Sequence, residues 1–468
     1  MPHLFCNKEI VMLFSSITFL YYFLPISIIA YFLTPANYRN CTLLFVSLLF
    51  YAWGEPKIVF YMLLTIVLNY FLGKLMEDKS EHKKLWLAIS VIFCLGSLGY
   101  FKYADFFIEN INAVTNLSMP LLEVGLPVGI SFYTFQIMSY TVDVYRGRVK
   151  AQRSIIKLAT YIAMFPQLIA GPIVRYQDVE VQLDGRQYDV DRFAIGIRRF
   201  VYGLAKKVLI ANILGELCAD FRAAEEASIV FYWIYALAFG LQIYFDFSGY
   251  SDMAIGLGKI LGFDFLENFN YPFISMSITE FWRRWHISLG NWFRDYVYIP
   301  LGGSKKSSVR TYFNIFVVWM LTGFWHGAAW NFILWGLFFA IILLAEKKFL
   351  LNWLDGKVIL SHIYVIIVAT LSFVIFNGEN LSQILSDFSG MFGLTELPLF
   401  NAETLYYLKH YGATLVIAII GSTPVVKNIA MKAGKIKAAE PAVLLILMIV
   451  ITAYLIDGSF NPFLYFRF

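Results

Sequence analysis

Two histidines stand where their chemistry most needs an explanation. His326 is at the centre of TGFWHGAAWNFILWG, residues 322 to 336, a stretch that is otherwise apolar, aromatic or small. His286 follows Trp285 in ITEFWRRWHISLGNWFRDYVYIPLGG, residues 278 to 303. An imidazole removed from water favours its neutral form, and a neutral ring keeps one lone pair that can take a proton from a hydroxyl. His326 fits a general base on those grounds. The competing role is a structural histidine hydrogen-bonded between helices. Gly323 and Gly327 weigh against it, because they leave room beside the ring for a substrate or another backbone.

On a helix, Trp282, Trp285, His286 and Leu289 fall at i, i+3, i+4 and i+7, which puts His286 on an aromatic face and turns Arg283 and Arg284 elsewhere. Glu280, three and four residues before them, can pair with either arginine. An interfacial helix with tryptophans at headgroup level and snorkelling arginines explains the same pattern. The distribution of tryptophan tilts the balance. Seven of the eleven (Trp282, Trp285, Trp292, Trp319, Trp325, Trp330, Trp335) lie between 282 and 335, whereas an aromatic belt would spread them over all span ends. The other histidines, His3, His82, His362 and His410, lie near the terminus, in a charged loop or at span ends, where a solvated imidazole needs no special role.

These residues need a frame, and the composition says it is a membrane. Of 468 residues, 59% are hydrophobic, 18% aromatic and 15% charged, with a mean hydropathy of +0.65. Apolar runs of helix length recur from end to end, so the expected fold class is an all-α polytopic membrane protein. Candidate spans fall near 13 to 33, 41 to 53, 58 to 73, 85 to 101, 125 to 145, 155 to 171, 200 to 217, 229 to 247, 311 to 322, 327 to 345, 358 to 376, 405 to 421 and 441 to 456. Several are shorter than the ~20 residues a bilayer core requires, which marks them as broken or re-entrant. Residues 262 to 300 are too polar for a simple span and read as interfacial or re-entrant helices.

Lys427, Lys432, Lys435 and Lys437 crowd one loop and Lys347, Lys348 and Lys357 another, while 378 to 404 carries no Lys or Arg. The positive-inside rule makes the first two loops cytoplasmic and the third external. The loop with Lys305, Lys306 and Arg310 is then internal, as is the one with Arg146, Arg148, Lys150, Arg153 and Lys157. Segments 311 to 322 and 327 to 345 form a pair with His326 at the apex, and the last span delivers the tail DGSFNPFLYFRF outside. The net charge of +5, spread over short loops, is topology information and not a nucleic-acid footprint. Four cysteines without CxxC spacing argue against a disulfide framework or a thiolate metal site. No phosphate loop, metal cluster or serine nucleophile elbow is evident.

Taken together and in order, MLFSSITFLYYFLP, YAWGEPK, LPVGISFYTFQIMSYTVDVYRG, FPQLIAGPIVRY, YFDFSGYSDMAIGLGKILGFDFLENFNYPF, FWRRWHISLGNWFRDYVYIPLGG and GFWHGAAWNFILWG resemble the membrane-bound O-acyltransferase (MBOAT) family, in its bacterial alginate O-acetyltransferase branch. The resemblance implies about 11–13 membrane helices plus re-entrant helices around a central funnel. It implies His326 as the principal catalytic residue and His286 as the second polar residue of the site, either orienting the attacking hydroxyl or stabilising charge on the carbonyl oxygen. It also implies a single MBOAT domain over 12–457, with 1–11 an upstream extension, Met12 the initiator and 458–468 an aromatic extracytoplasmic tail. No bound cofactor or metal is expected. The acyl-thioester donor would be acetyl-CoA, the acceptor an extracytoplasmic polysaccharide, and the partner an extracytoplasmic SGNH-hydrolase-like acyltransferase.

Two roles stay open for Tyr465 in FNPFLYFRF: an acyl carrier, or an interfacial aromatic anchor. Asp246, Asp252, Arg283, Arg284 and Asn331 lie in the matched motifs, each able either to shape a funnel or to tie helices together. Two other functions compete with acetyl transfer. One is teichoic-acid D-alanyl transfer within the same family; the other is a transporter or flippase, whose broken spans and buried polar groups look alike.

Overall fold

The computed structural model describes residues 12–432, 440–458 and 463–464; the upstream stretch 1–11 and Tyr465 lie outside the described residues. Among the described residues the chain is helical, without strands. Five helices among the described residues are long and apolar enough to cross a membrane: Ile58–Asp78, Lys83–Thr115, Ile229–Ile260, Val358–Asn377 and Glu440–Asp457. Other expected spans, such as Ile130–Tyr145 and Trp330–Ala345 at 16 residues each, are shorter.

Several boundaries differ from the sequence expectation for local reasons. The run expected at 125 to 145 starts at Ile130, because Pro127 precedes and Gly129 takes φ 76. The run at 155 to 171 breaks into Ile155–Ala163 and Phe165–Leu168, with Pro166 in the first turn of the second piece. Proline has no N–H to continue the ladder and its ring crowds the carbonyl four residues back. The run at 229 to 247 continues to Ile260 through the polar FDFSGYSDM, whose charged side chains find partners along the way.

The chain divides into two compact units, 1–200 with 250–266 and 458–462, and 201–249 with 267–457 and 463–468. In the first, the N-terminal aromatic run builds the core: Phe14, Phe19, Phe23, Phe50 and Phe165 meet ring to ring, and Phe14 stacks on Tyr250 at 4.8 Å. Arg199 is paired with Asp252 at 2.9 Å. The basic loop expected to be cytoplasmic is partly neutralised, Arg153 by Glu77 and Asp78 and Lys157 by Asp184.

The second unit holds both histidines. Its core packs Ser308–His326, Trp330–Ala345 and Val358–Asn377 with the inner part of Ile229–Ile260 and the short helix Ile278–Arg284. The segment 262 to 300 contains no span; its helices of seven residues are too short to cross, in keeping with the interfacial or re-entrant reading.

Candidate active site

His326 is the last residue of the helix Ser308–His326, which Ser307 caps by accepting from the Arg310 N–H at 3.3 Å. Gly327 is extended, and the next helix opens at Trp330, so the expected hairpin with His326 at its apex is formed. The glycines beside it serve the backbone. A Cβ on Gly323 would lie 2.3 Å from the Phe332 carbonyl oxygen and 3.1 Å from the Gly336 Cα, and one on Gly327 would enter the Phe332 ring at 2.1 Å. Of the two uses the sequence allowed, close approach of another element is the one these distances require.

That close packing sets the imidazole among aromatic edges. Trp325 and Trp335 have ring centroids 5.1 Å from it and Phe376 5.3 Å, at steep interplanar angles. Asn331 stays on its own helix end and donates to the Phe376 carbonyl at 2.8 Å, tying down one of these walls. His326 retains 8% of its surface accessible, against 2% for His286.

The setting of His286 departs from the helical face expected for it. The helix stops at Arg284, Trp285 is extended, and His286 adopts φ 46, ψ 51 before a new helix starts at Ile287. Left-handed backbone in a non-glycine residue is uncommon and costs strain, so the surroundings must hold it. Asn268 does so. Its backbone carbonyl accepts from Ile287 N–H at 3.0 Å, and its side-chain oxygen accepts from Ser288 N–H at 3.1 Å and the Ser288 hydroxyl at 2.9 Å.

The same Asn268 oxygen lies 3.2 Å from His286 Nδ1. A backbone N–H can only donate, so the Asn268 atom facing Ser288 is the oxygen, and His286 Nδ1 must carry the proton it shares with that oxygen. The lone pair is consequently on Nε2. That atom is buried and has no hydrogen-bond partner among the described residues. Burial pushes the ring down to about 3, so it is neutral at ordinary pH. The Phe247 ring meets it edge-on at 4.7 Å, and Trp325 lies 6.0 Å away. Trp325 thus contacts both imidazoles.

Glu280, Arg284 and Asp246, also singled out in the sequence, form ion pairs. Glu280 chooses Arg284, at 2.9 Å, and Asp246 pairs with Lys207 at 2.5 Å. Sequence reasoning passed over Asn268 and Glu346. Asn268 sits 18 residues before His286 in a stretch quoted only for its resemblance, and its polar side chain amid aromatics was the available signal. Glu346 precedes Lys347 and Lys348 and looked like part of a charged loop, yet it is buried.

The membrane-bound O-acyltransferase family model matches residues 147–377, which contain both histidines. The chain is similar to a probable alginate O-acetylase AlgI of Pseudomonas aeruginosa, 42% identical over 424 residues, covering 88% of this chain and 81% of that one. A peptidoglycan O-acetyltransferase of Helicobacter pylori is 34% identical over 458 residues, covering 88% and 86%. A teichoic acid D-alanyltransferase of Bacillus subtilis is 30% identical over 274 residues, only 54% of this chain and 69% of that protein.

Proposed function

The chain belongs to the membrane-bound O-acyltransferase family and is a multi-pass membrane O-acyltransferase, and from that premise we propose its reaction in detail. An acetyl group leaves a cytoplasmic thioester donor of the acetyl-CoA kind and is delivered for O-acetylation of an extracytoplasmic polysaccharide. The alginate and peptidoglycan O-acetylating relatives align over most of both chains, whereas the D-alanyltransferase aligns over 54% of this one, which supports acetyl over D-alanyl. The protein works in the cytoplasmic membrane, with an SGNH-hydrolase-like protein outside as its partner.

One observation carries the chemistry: two buried imidazoles flank Trp325, one of them with its tautomer fixed and Nε2 open. A hydroxyl oxygen attacks the thioester carbonyl while His326 takes its proton. The C–S bond then breaks and the thiolate recovers that proton from His326, so the ring ends neutral as it began. The C-terminal end of the helix Ser308–His326 presents partial negative charge, which suits a ring that is transiently positive. The one proton of the attacking hydroxyl goes to His326, so His286 orients the acceptor by accepting at Nε2 a hydrogen bond from a different polar hydrogen beside that hydroxyl. With its proton committed to Asn268, it has none to offer a carbonyl oxygen, so orientation is the role retained here.

Tyr465 is kept as the proposed acyl carrier. Phe463 and Leu464 just before it are buried, and Leu464 belongs to the apolar cluster that includes Trp335 and Phe376. A phenol of pKa ~10 needs a neighbouring base to attack a thioester. The competing role is an aromatic anchor, which Tyr465→Phe would satisfy and a carrier would not.

The test uses the full chain in vesicles with acetyl-labelled coenzyme A and a polysaccharide acceptor. Label should move to the acceptor with the unaltered protein and stay on the donor with His326→Ala, which still inserts. Transfer at the unaltered rate by His326→Ala removes the assignment.

A further inference from the structure

Lys207 and Asp246 form an ion pair in the interior of the second unit, Nζ to Oδ1 2.5 Å, with both side chains almost wholly buried. Lys207 lies in the π-helical turn Lys206–Ala211 and Asp246 on the helix Ile229–Ile260. Removing two opposite charges from solvent is costly unless their remaining hydrogen-bonding capacity is filled. Here the far end of the chain supplies a contact to each partner. The second carboxylate oxygen of Asp246 accepts from the Leu464 backbone N–H at 2.8 Å, and the Lys207 ammonium sits over the Phe463 ring, 4.6 Å from its centroid. Phe463 and Leu464 are themselves buried, Leu464 against the core cluster of this unit.

We infer that Lys207 and Asp246 are a clasp for the C-terminal tail, and that they act on acyl transfer as positioning residues through that tail. Each element of the pair touches the tail with a different kind of contact. The carboxylate fixes the main chain at one amide and the ammonium fixes the ring of the preceding residue, so both position and rotation of the segment are set. A pair that only tied two helices together would have no use for a main-chain donor from residue 464. Leu464 is thereby held in the same apolar cluster that contributes Trp335 and Phe376 to the walls around His326. The effect on transfer rests on the O-acyltransferase reading; the anchoring of the tail does not.

The experiment measures both separately, on the full chain in lipid nanodiscs. Hydrogen–deuterium exchange of the C-terminal peptide reads the clasp. In the unaltered protein the Leu464 amide should exchange far more slowly than a free peptide amide, and exchange at the free-peptide rate overturns the proposal. The double substitution Lys207→Met with Asp246→Leu removes both charges together and so avoids leaving one buried alone. It should speed Leu464 exchange about tenfold or more and lower kcat by about tenfold with the donor KM within about twofold. Unchanged protection and unchanged kcat sink the idea. The exchanged pair, Lys207→Asp with Asp246→Lys, keeps the ion pair but offers the Leu464 N–H an ammonium in place of an acceptor. It should lose the tail as the double variant does, and a protected tail there overturns the clasp. Should the unaltered protein transfer no acetyl group while its Leu464 amide is protected, the activity reading fails and the clasp stands.

Discussion

The side-chain oxygen of Asn268 fixes which nitrogen of His286 bears the proton, because that oxygen is also held by the Ser288 N–H at 3.1 Å and faces His286 Nδ1 at 3.2 Å. Removing the amide with Asn268→Ala frees the ring to change tautomer and removes support for its left-handed backbone. Acetyl transfer should fall by about tenfold or more. Asn268→Asp keeps an acceptor but adds a negative charge that favours the imidazolium, so the acidic limb of the pH–rate profile should move to higher pH. A profile identical to that of the unaltered protein in both variants would show that His286 is not oriented in this way.

Acid stability should carry the signature of the same ring. Burial pushes the His286 imidazole from 6.5 down to about 3, so as pH falls the unfolded chain takes up this proton before the folded one does. The stabilisation from a neutral His286 is therefore fully present above about 6.5 and is lost on acidification toward 3, by about 1.4 kcal/mol per pH unit. His286→Gln has no such proton and should flatten that part of the stability curve. Thermal unfolding in detergent between about pH 4 and 7 is the measurement, and parallel curves for the two proteins would refute it.

How much of this could be read from the chain depends on whether a signal is local. His326 could be placed at a hairpin apex because apolar runs on either side and the glycines mark the turn, and the structure puts it there. His286 could be chosen as a site residue but not oriented, because the helix break at Trp285–His286 is imposed by Asn268, 18 residues away, and no local residue announces it. The length of Ile229–Ile260 was hidden for a similar reason. Asp246 and Asp252 lower its apparent hydropathy, and their distant partners, Lys207 and Arg199 among them, compensate the charges that the helix buries.

Helix approach at Gly323 should be intolerant of a single methyl. A Cβ there meets the Phe332 carbonyl oxygen at 2.3 Å, and the facing Gly336 is equally tight against the Trp319 carbonyl oxygen at 2.6 Å. Gly323→Ala must separate two backbones, which costs about 1–3 kcal/mol and displaces the walls around His326. Gly96→Ala is the control: nothing lies within 4 Å of its Cβ, and in a helix interior alanine is favoured by about 0.5–1 kcal/mol. The melting temperature should fall for the first and hold or rise for the second. Equal melting temperatures would mean that the two helices adjust without strain.

Glu346 should govern His286 from a distance. It is buried at the end of the helix that begins with Trp330, and its carboxylate accepts from the N–H groups of Ile278 at 2.6 Å and Thr279 at 2.8 Å, the Thr279 hydroxyl at 2.6 Å and the Tyr364 hydroxyl at 3.0 Å. Two of these donors are the first turn of Ile278–Arg284, where a negative charge also meets the positive end of the helix. That short helix leads directly into Trp285 and His286. Glu346→Ala strands the donors in the interior, with a cost of about 3–5 kcal/mol by analogy with breaking a buried charged pair. Glu346→Gln keeps the shape and one acceptor oxygen, so the fold should survive with the helix start loosened. Transfer by Glu346→Gln should drop while donor KM holds, since what is disturbed is the aim of His286 and not the donor's seat. Unaltered kcat in a stably folded Glu346→Gln protein would show that the start of this helix does not set the position of His286.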